Sequence, residues 1–387
     1  MKLFQSLLVA PAALGLIAPV SATANELNLA EVSSYSSSEE VQNISEFNSK
    51  ELAVTNSRLD GLEARINEFE AGGFSDTTTA SFSADFYVGQ LDDDDQTDDD
   101  SIAATYSFQI DLNTSFTGED SLDVSIDAGN ANADGITEFD GNSTADRLEV
   151  DGVSYTFPLG ENTTFIVGDN TDGSALFTTA CAYGGPGNML DDCANVNAGI
   201  TGGGATFGAS YDFGNGITTA FGYQGANDSL ATEEGADSYA FNLAYTGEDY
   251  GVSITTSVVD STTASGATDD EEDTYTAFNA YYSPEGFPSI SVGYETGDIG
   301  GAASTVDSQE SFFVGLSWEE VGPGELGIAM GHSNTVEGSS EEYQYEAYYS
   351  YPINDGMTVT PLIFSKENST ADRDDTMGVM VKTSFSF

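Results

Sequence analysis

From Phe74 to Phe387 apolar and polar residues alternate along the chain, the period-two spacing at which successive side chains of an extended strand leave opposite faces. Ile102, Ala104, Tyr106, Phe108, Ile110 and Leu112 alternate with Ala103, Thr105, Ser107, Gln109 and Asp111. Leu122, Val124 and Ile126 interleave with Asp123, Ser125 and Asp127, and Tyr239, Phe241, Leu243 and Tyr245 with Ala240, Asn242 and Ala244. Each segment has one greasy face and one face of small, polar or acidic residues. The pattern predicts sixteen strands at about 77–90, 101–116, 121–130, 146–158, 163–170, 200–213, 217–227, 237–246, 250–260, 273–283, 288–297, 310–319, 326–335, 342–352, 357–367 and 375–387. Those near 275 and 360 alternate least clearly.

The connections carry a second regularity. Every other one is tight, as at Thr117-Gly118-Glu119-Asp120, Gly160-Glu161-Asn162, Gly214-Asn215-Gly216, Gly247-Glu248-Asp249, Pro284-Glu285-Gly286, Gly322-Pro323-Gly324 and Asn354-Asp355-Gly356. The rest are longer and often acidic. Seven short turns alternating with eight long loops is the signature of a closed up-and-down barrel, and outer-membrane barrels keep short turns at one end and long loops at the other. A β-sandwich has no cause to segregate loop lengths, although strand alternation alone does not separate the two. Sixteen strands leave a watery channel, where eight would fill with side chains. The fold class expected is therefore all-β: a transmembrane antiparallel β-barrel over 74–387.

Ahead of the barrel, Met1-Lys2, an apolar stretch from Leu3 to Val20 and the small residues Ala22-Thr23-Ala24 read as a cleaved signal peptide over 1–24. Gln5, Ser6, Pro11 and Pro19 interrupt that stretch, against the roughly 20 apolar residues a spanning helix needs. A polar segment follows over 25–48. Over 49–73, Leu52, Leu59, Leu62, Ile66 and Phe69 fall at a and d spacing before Gly72-Gly73, which fits a short coiled coil or a single amphipathic helix lying on the barrel. The closing run Val379, Val381, Thr383, Phe385 and Phe387 looks like the strand by which the barrel-assembly machinery recognises its clients.

The net charge of −57, from 65 acidic and 8 basic residues, disfavours nucleic acid and anionic surfaces as partners. After Phe74 the basic residues are Arg147, Lys366, Arg373 and Lys382. Parity places Asp85, Asp111, Asp123, Asp127, Asp212, Glu295, Glu346 and Lys382 on the non-greasy face, with Arg147 and Glu149 beside them. As pore-lining residues they predict a preference for cations, since rings of Asp and Glu set that preference; the alternative is that most acids merely keep loops solvated. Loop acids that bridge to lipopolysaccharide through divalent ions are a further option.

The connection at about 171–199 holds Cys181 and Cys193, twelve apart, and Gly184-Gly185-Pro186-Gly187. In an exported chain two such cysteines read as one disulfide. This loop either folds inward as a constriction, which makes Asp172, Asp191 and Asp192 candidates for the narrowest point, or forms an external flap. His332 is the single histidine. No Ser–His–acid set, nucleophile elbow, phosphate loop or zinc spacing is present, and Asp92-Asp93-Asp94-Asp95 lacks the spacing of a helix-loop-helix calcium site. No enzyme, metal site or cofactor is expected.

The phrase Arg58-Leu59-Asp60-Gly61-Leu62-Glu63-Ala64-Arg65, running into Phe74-Ser75-Asp76-Thr77-Thr78-Thr79, resembles the cyanobacterial outer-membrane porins, especially those of marine picocyanobacteria. The resemblance covers about 49–387 and includes Asn195-Val196-Asn197-Ala198-Gly199. That family's barrel is similar to the carbohydrate-selective porins. The resemblance implies a homotrimer in outer-membrane lipid that passes inorganic ions and small solutes. A label of carbohydrate transport would come from the family and not from these residues. Family members carry an S-layer-homology domain where this chain has only 25–48. The contrasting reading is a secreted structural or adhesive β-protein with acidic, cation-binding loops.

Overall fold

The computed structural model describes residues 77–92, 102–131, 138–139, 141–188, 190–230, 232, 235–260, 272–300, 306–369 and 373–387. The signal peptide, polar segment and coiled coil expected ahead of the barrel lie outside these residues. The first strands are β1 (Thr78–Asp92), β2 (Ala103–Thr114), β3 (Ser121–Gly129), β4 (Glu149–Pro158), β5 (Thr163–Asp169), β6 (Ala205–Gly214), β7 (Ile217–Gly225) and β8 (Asp237–Thr246). They continue as β9 (Tyr250–Asp260), β10 (Glu272–Tyr282), β11 (Ser289–Asp298), β12 (Ser308–Val321), β13 (Gly324–Val336), β14 (Gln344–Asn354), β15 (Met357–Lys366) and β16 (Thr376–Ser386). Each strand pairs antiparallel with its neighbours in sequence, and β1 pairs with β16, so the sheet closes. The seam register runs from Ser83 opposite Ser386 to Asp92 opposite Met377. Phe82 and Phe387 exchange main-chain hydrogen bonds of 3.0 Å in both directions, and their rings stack at 5.8 Å.

Short and long connections alternate as the sequence predicts. The tightest turn shows why. At Gly214, Asn215 and Gly216 the backbone has φ of 77°, 56° and 82°, the left-handed region that hairpin turns require and that Gly and Asn enter at least cost. The strand expected from residue 200 begins at Ala205, because the preceding residues belong to a loop and Gly204 carries φ of 138°.

The two faces differ as the alternation demands. On β9, Ile254 is 45% exposed on the outer side, while Thr255 beside it is 0% exposed on the inner side. Phe86, Phe221, Phe241, Phe278, Tyr294 and Ile363 continue the outer apolar belt. A strand of 11 residues such as β9, at about 3.4 Å per residue and about 45° tilt, covers about 26 Å, close to the height of a hydrocarbon core. At the short-turn end Phe116, Tyr155, Phe157, Phe165 and Phe207 form an unbroken run of ring contacts across β4, β5 and β6.

β10 and β15 alternate poorly because their inner faces also carry large apolar side chains. Tyr275 and Ala277 of β10 point inward against Ala198, and Leu362 and Phe364 of β15 join a buried cluster inside the ring. That interior cluster also takes in Tyr87 of β1, Phe313 of β12, Tyr348 of β14 and Met380 of β16. It is closed by loop residues, chiefly Phe139, Tyr183 and Leu190.

Asp120 holds one of the short turns together. Its carboxylate accepts from Tyr155 Oη at 2.7 Å, Thr117 N at 2.7 Å, Thr117 Oγ1 at 2.8 Å, Ser115 Oγ at 2.9 Å and Phe116 N at 2.9 Å. The Tyr155 hydroxyl above all, with the Thr117 and Ser115 donors, holds the carboxyl well below its ordinary range. A depressed folded-state value means the turn is supported above the unfolded value of about 3.9 and loses that support as pH falls through the folded value. The expected result is a urea midpoint for the detergent-refolded barrel that falls on acidification below about pH 4. Asp120→Asn should lower that midpoint at neutral pH and flatten its acid dependence, as read by tryptophan fluorescence.

Candidate pore and the loop inside it

The residues between β5 and β6, 170–204 and here termed L3, fold into the ring. The outgoing limb runs extended along the inner wall. The N–H groups of Thr178, Ala180 and Ala182 donate to Asn242 Oδ1 of β8 (3.1 Å), Ser253 Oγ of β9 (2.9 Å) and Ser291 Oγ of β11 (2.8 Å). Every second amide therefore reaches the wall, the hydrogen-bonding period of an extended strand. At the far end the Tyr183 hydroxyl donates to Glu346 Oε1 of β14 at 2.5 Å.

The returning limb is fixed by two contacts. Asn279 Nδ2 of β10 donates to the Cys193 carbonyl at 2.7 Å. Glu295 of β11 accepts from the N–H groups of Asn197 (2.9 Å) and Ala198 (2.8 Å) through Oε2, and from Asn197 Nδ2 (2.8 Å) through Oε1. The Cys181–Cys193 disulfide ties the two limbs together. The wall beneath is made of small residues because the loop backbone comes so close. A Cβ built on Gly293 would lie 1.7 Å from the Cys193 carbonyl oxygen, and one on Gly222 would lie 2.0 Å from that of Gly173.

The connection 130–148, termed L2, joins L3 from the other side. Phe139 bridges to Gly187, Asn188 N–H donates to the Glu138 carbonyl at 2.7 Å, and the Phe139 ring rests on Tyr87 at 5.4 Å. Burial against these loops raises the Glu138 carboxyl above its ordinary value, with Lys366 partly opposing the shift.

The inner wall that L3 leaves uncovered, around β2, β3 and β4, carries much of the remaining charge. Asp111 accepts from Gln109 Nε2 and Ser125 Oγ, both at 2.8 Å. Asp123 accepts from Asn113 Nδ2 and Ser121 Oγ, both at 2.6 Å. Asp127 stands opposite Glu149 but is buried, and Arg147 pairs with Glu149 at 2.9 Å in an exposed position. Next to this wall, Lys382 is 3.2 Å from Asp85 and 5.8 Å above the Tyr87 ring, so that its charge is balanced locally.

The alternation does not single out Asp151. In β4, Val150 faces Ile126 and Gly152 faces Ser125, so Asp151 is an extra residue without a partner on β3. Such a bulge re-aims a side chain, and Asp151 is exposed. A signal existed in the sequence: the outward series Leu148, Val150, Val153, Tyr155, Phe157 steps by two except between Val150 and Val153.

The other residues singled out by sequence fall in different places. Asp212 shares the inward parity and caps its own turn, accepting from Gly214 N–H at 2.7 Å. Glu295 and Glu346 point inward but are 1% and 3% exposed, covered by L3. Asp172, Asp191 and Asp192 are exposed on L3, and Asp172 accepts from Gly202 N–H at 3.1 Å. His332 is buried between Phe312 and Tyr343, with Nδ1 2.8 Å from Thr335 Oγ1.

A closed sixteen-strand barrel with a long connection folded against its inner wall defines a porin-type fold. Similar solved structures include a mutant of the Rhodobacter blastica porin (written Rh. blastica), with 12% identity, TM-score 0.55 and coverage of 80% of this chain and 100% of that one. Another is Pseudomonas putida OprB at high pH, with 11% identity, TM-score 0.57 and coverage of 80% and 94%. In sequence, the chain is 24% identical to an uncharacterized protein of Nostoc sp. (strain PCC 7120) over 428 residues, spanning 90% of this chain and 72% of the relative. No family model matches the chain.

The seating of L3 makes a direct prediction. Gly293→Val adds a branched side chain where the Cys193 carbonyl lies and should lift the loop from the wall. The expected result in a planar bilayer is a larger and noisier single-channel conductance with an unchanged far-UV spectrum; a trace like the wild type would contradict the seating.

Proposed function

We propose that this chain is an outer-membrane porin of the cyanobacterial type, exported by its signal peptide, through which ions and small hydrophilic solutes diffuse passively with a preference for cations. The observation that carries the proposal is the pairing of a continuous apolar outer belt with an inner wall whose carboxylates outnumber its cations. Hydrocarbon offers no hydrogen-bond partner, so strands cross it only as a closed ring, and the belt would otherwise stand exposed to water. Under this reading the long loops face lipopolysaccharide, the run of rings near Phe157 joins the interfacial girdle, three copies associate through their outer faces, and β16 with Phe387 is the element that the barrel-assembly machinery receives. The similarity in fold to the R. blastica porin and OprB supports the channel reading.

Under this reading the cation preference belongs to Asp111, Asp123 and Asp151 of the uncovered wall and to Asp172, which is exposed on L3. Asp85 contributes little because Lys382 balances it. Arg147 is likewise matched by Glu149.

The test is purification from outer membranes in detergent, followed by recording in a planar bilayer under a potassium chloride gradient. The expected zero-current potential has the cationic sign. It should shrink as the salt is raised from 0.1 M to 1 M, since the screening length falls from about 10 Å to about 3 Å. A protein that stays dispersed in buffer without detergent and leaves bilayers tight would favour a secreted adhesive protein instead.

A further inference from the structure

The inward carboxylates divide by what their oxygens are already doing. On β2 and β4, Asp111 meets the short polar side chains Gln109 and Ser125, and Glu149 and Asp151 are exposed. Glu295 and Glu346 are buried. Glu295 is enclosed by the L3 turn and accepts three N–H groups from it, two of them main-chain amides of consecutive residues. Two adjacent amides converging on one carboxylate oxygen form an anion cradle, and such charge-assisted bonds are about twice as strong as neutral ones. Glu346 takes the Tyr183 hydroxyl, and Cβ positions built on Gly185 and Gly187 fall 2.2 Å and 2.4 Å from its two oxygens. A side chain at either position would push the Glu346 carboxyl aside. The two acids grip L3 at points with two strands of the wall between them, β11 at one end and β14 at the other.

Resting on the porin reading, we propose that Glu295 and Glu346 are positioning residues: they clasp L3 to the wall and so set the aperture, and they take no part in choosing the ion. The Glu295 carboxylate, whose two oxygens take three donors from the loop, attracts a passing cation weakly, because those donors already compensate it. Ion preference then belongs to Asp111 and Asp151 on the open wall.

The experiment compares Glu295→Ala, Glu295→Gln, Glu346→Gln and the double variant Asp111→Asn/Asp151→Asn in bilayers, with hydrogen exchange of residues 195–200 in detergent. Glu295→Ala should speed exchange at Asn197 and Ala198 at least about tenfold and give a wider, flickering pore, with the cationic zero-current potential retained. Glu295→Gln keeps an acceptor for the two amides and should restore slow exchange and a quiet trace. Glu346→Gln, which keeps an acceptor for Tyr183, should leave the potential at its wild-type value. The Asp double variant should move the potential toward zero while its trace stays quiet. The clasp is overturned if Glu295→Ala leaves exchange unchanged, or if either Gln variant moves the potential as far as the Asp pair does. A wild-type protein that never conducts defeats the porin reading, and the exchange measurement still decides whether Glu295 holds the loop.

Discussion

The pairing of β1 with β16 is the constraint on which the rest of this molecule depends. An open sheet of sixteen strands would expose two rows of unpaired amides and carbonyls, and would flatten or split rather than curl. Joined at the seam, it has no edge, and each strand needs only one buried face to be stable. With the seam closed, no outer position has to serve as a polar guard against edge-to-edge association.

Closure creates a second problem, which the long loops solve. A ring of sixteen strands is too wide to be filled by its own side chains, so inner residues of β10, β12, β14 and β15 would face water. L2 and L3 cover them instead and form a small apolar core around Phe139, Tyr183, Phe313 and Leu362 within the ring. The inner wall under L3 is Gly-, Ala- and Ser-rich because main chain, not side chain, fills the space there. Two environments therefore select the same strands: the outer series answers to an apolar belt, and the inner series answers to a loop or to the lumen.

This double selection determines how much of the molecule is legible in its residues. Strands whose inner face meets water or short loop contacts, such as β2, β8 and β9, read clearly as period two, and their boundaries are recovered within a few residues. β10 and β15 read poorly because Tyr275, Leu362 and Phe364 are apolar for a reason that lies far away in sequence. The position of L3 was equally out of reach. Nothing local in 171–199 distinguishes an inward fold from an outward one; the deciding partners are Ser253, Asn279, Ser291 and Glu295 on other strands. Inward parity identified acidic residues by face alone. It could not separate Asp111, which meets open space, from Glu295, which meets a loop.

The bulge at Asp151 has a consequence for how such a wall changes over time. A residue inserted within a regular strand inverts every side chain beyond it and would turn an apolar belt into the lumen. Absorbed as a bulge, the extra residue leaves both flanking series in phase: Val150 and Val153 face outward on either side of it. The inner surface can thus gain or lose one charge by a single-codon insertion or deletion, while the surface toward the surroundings stays the same. Bulges offer a route by which a barrel of fixed architecture can be retuned one residue at a time.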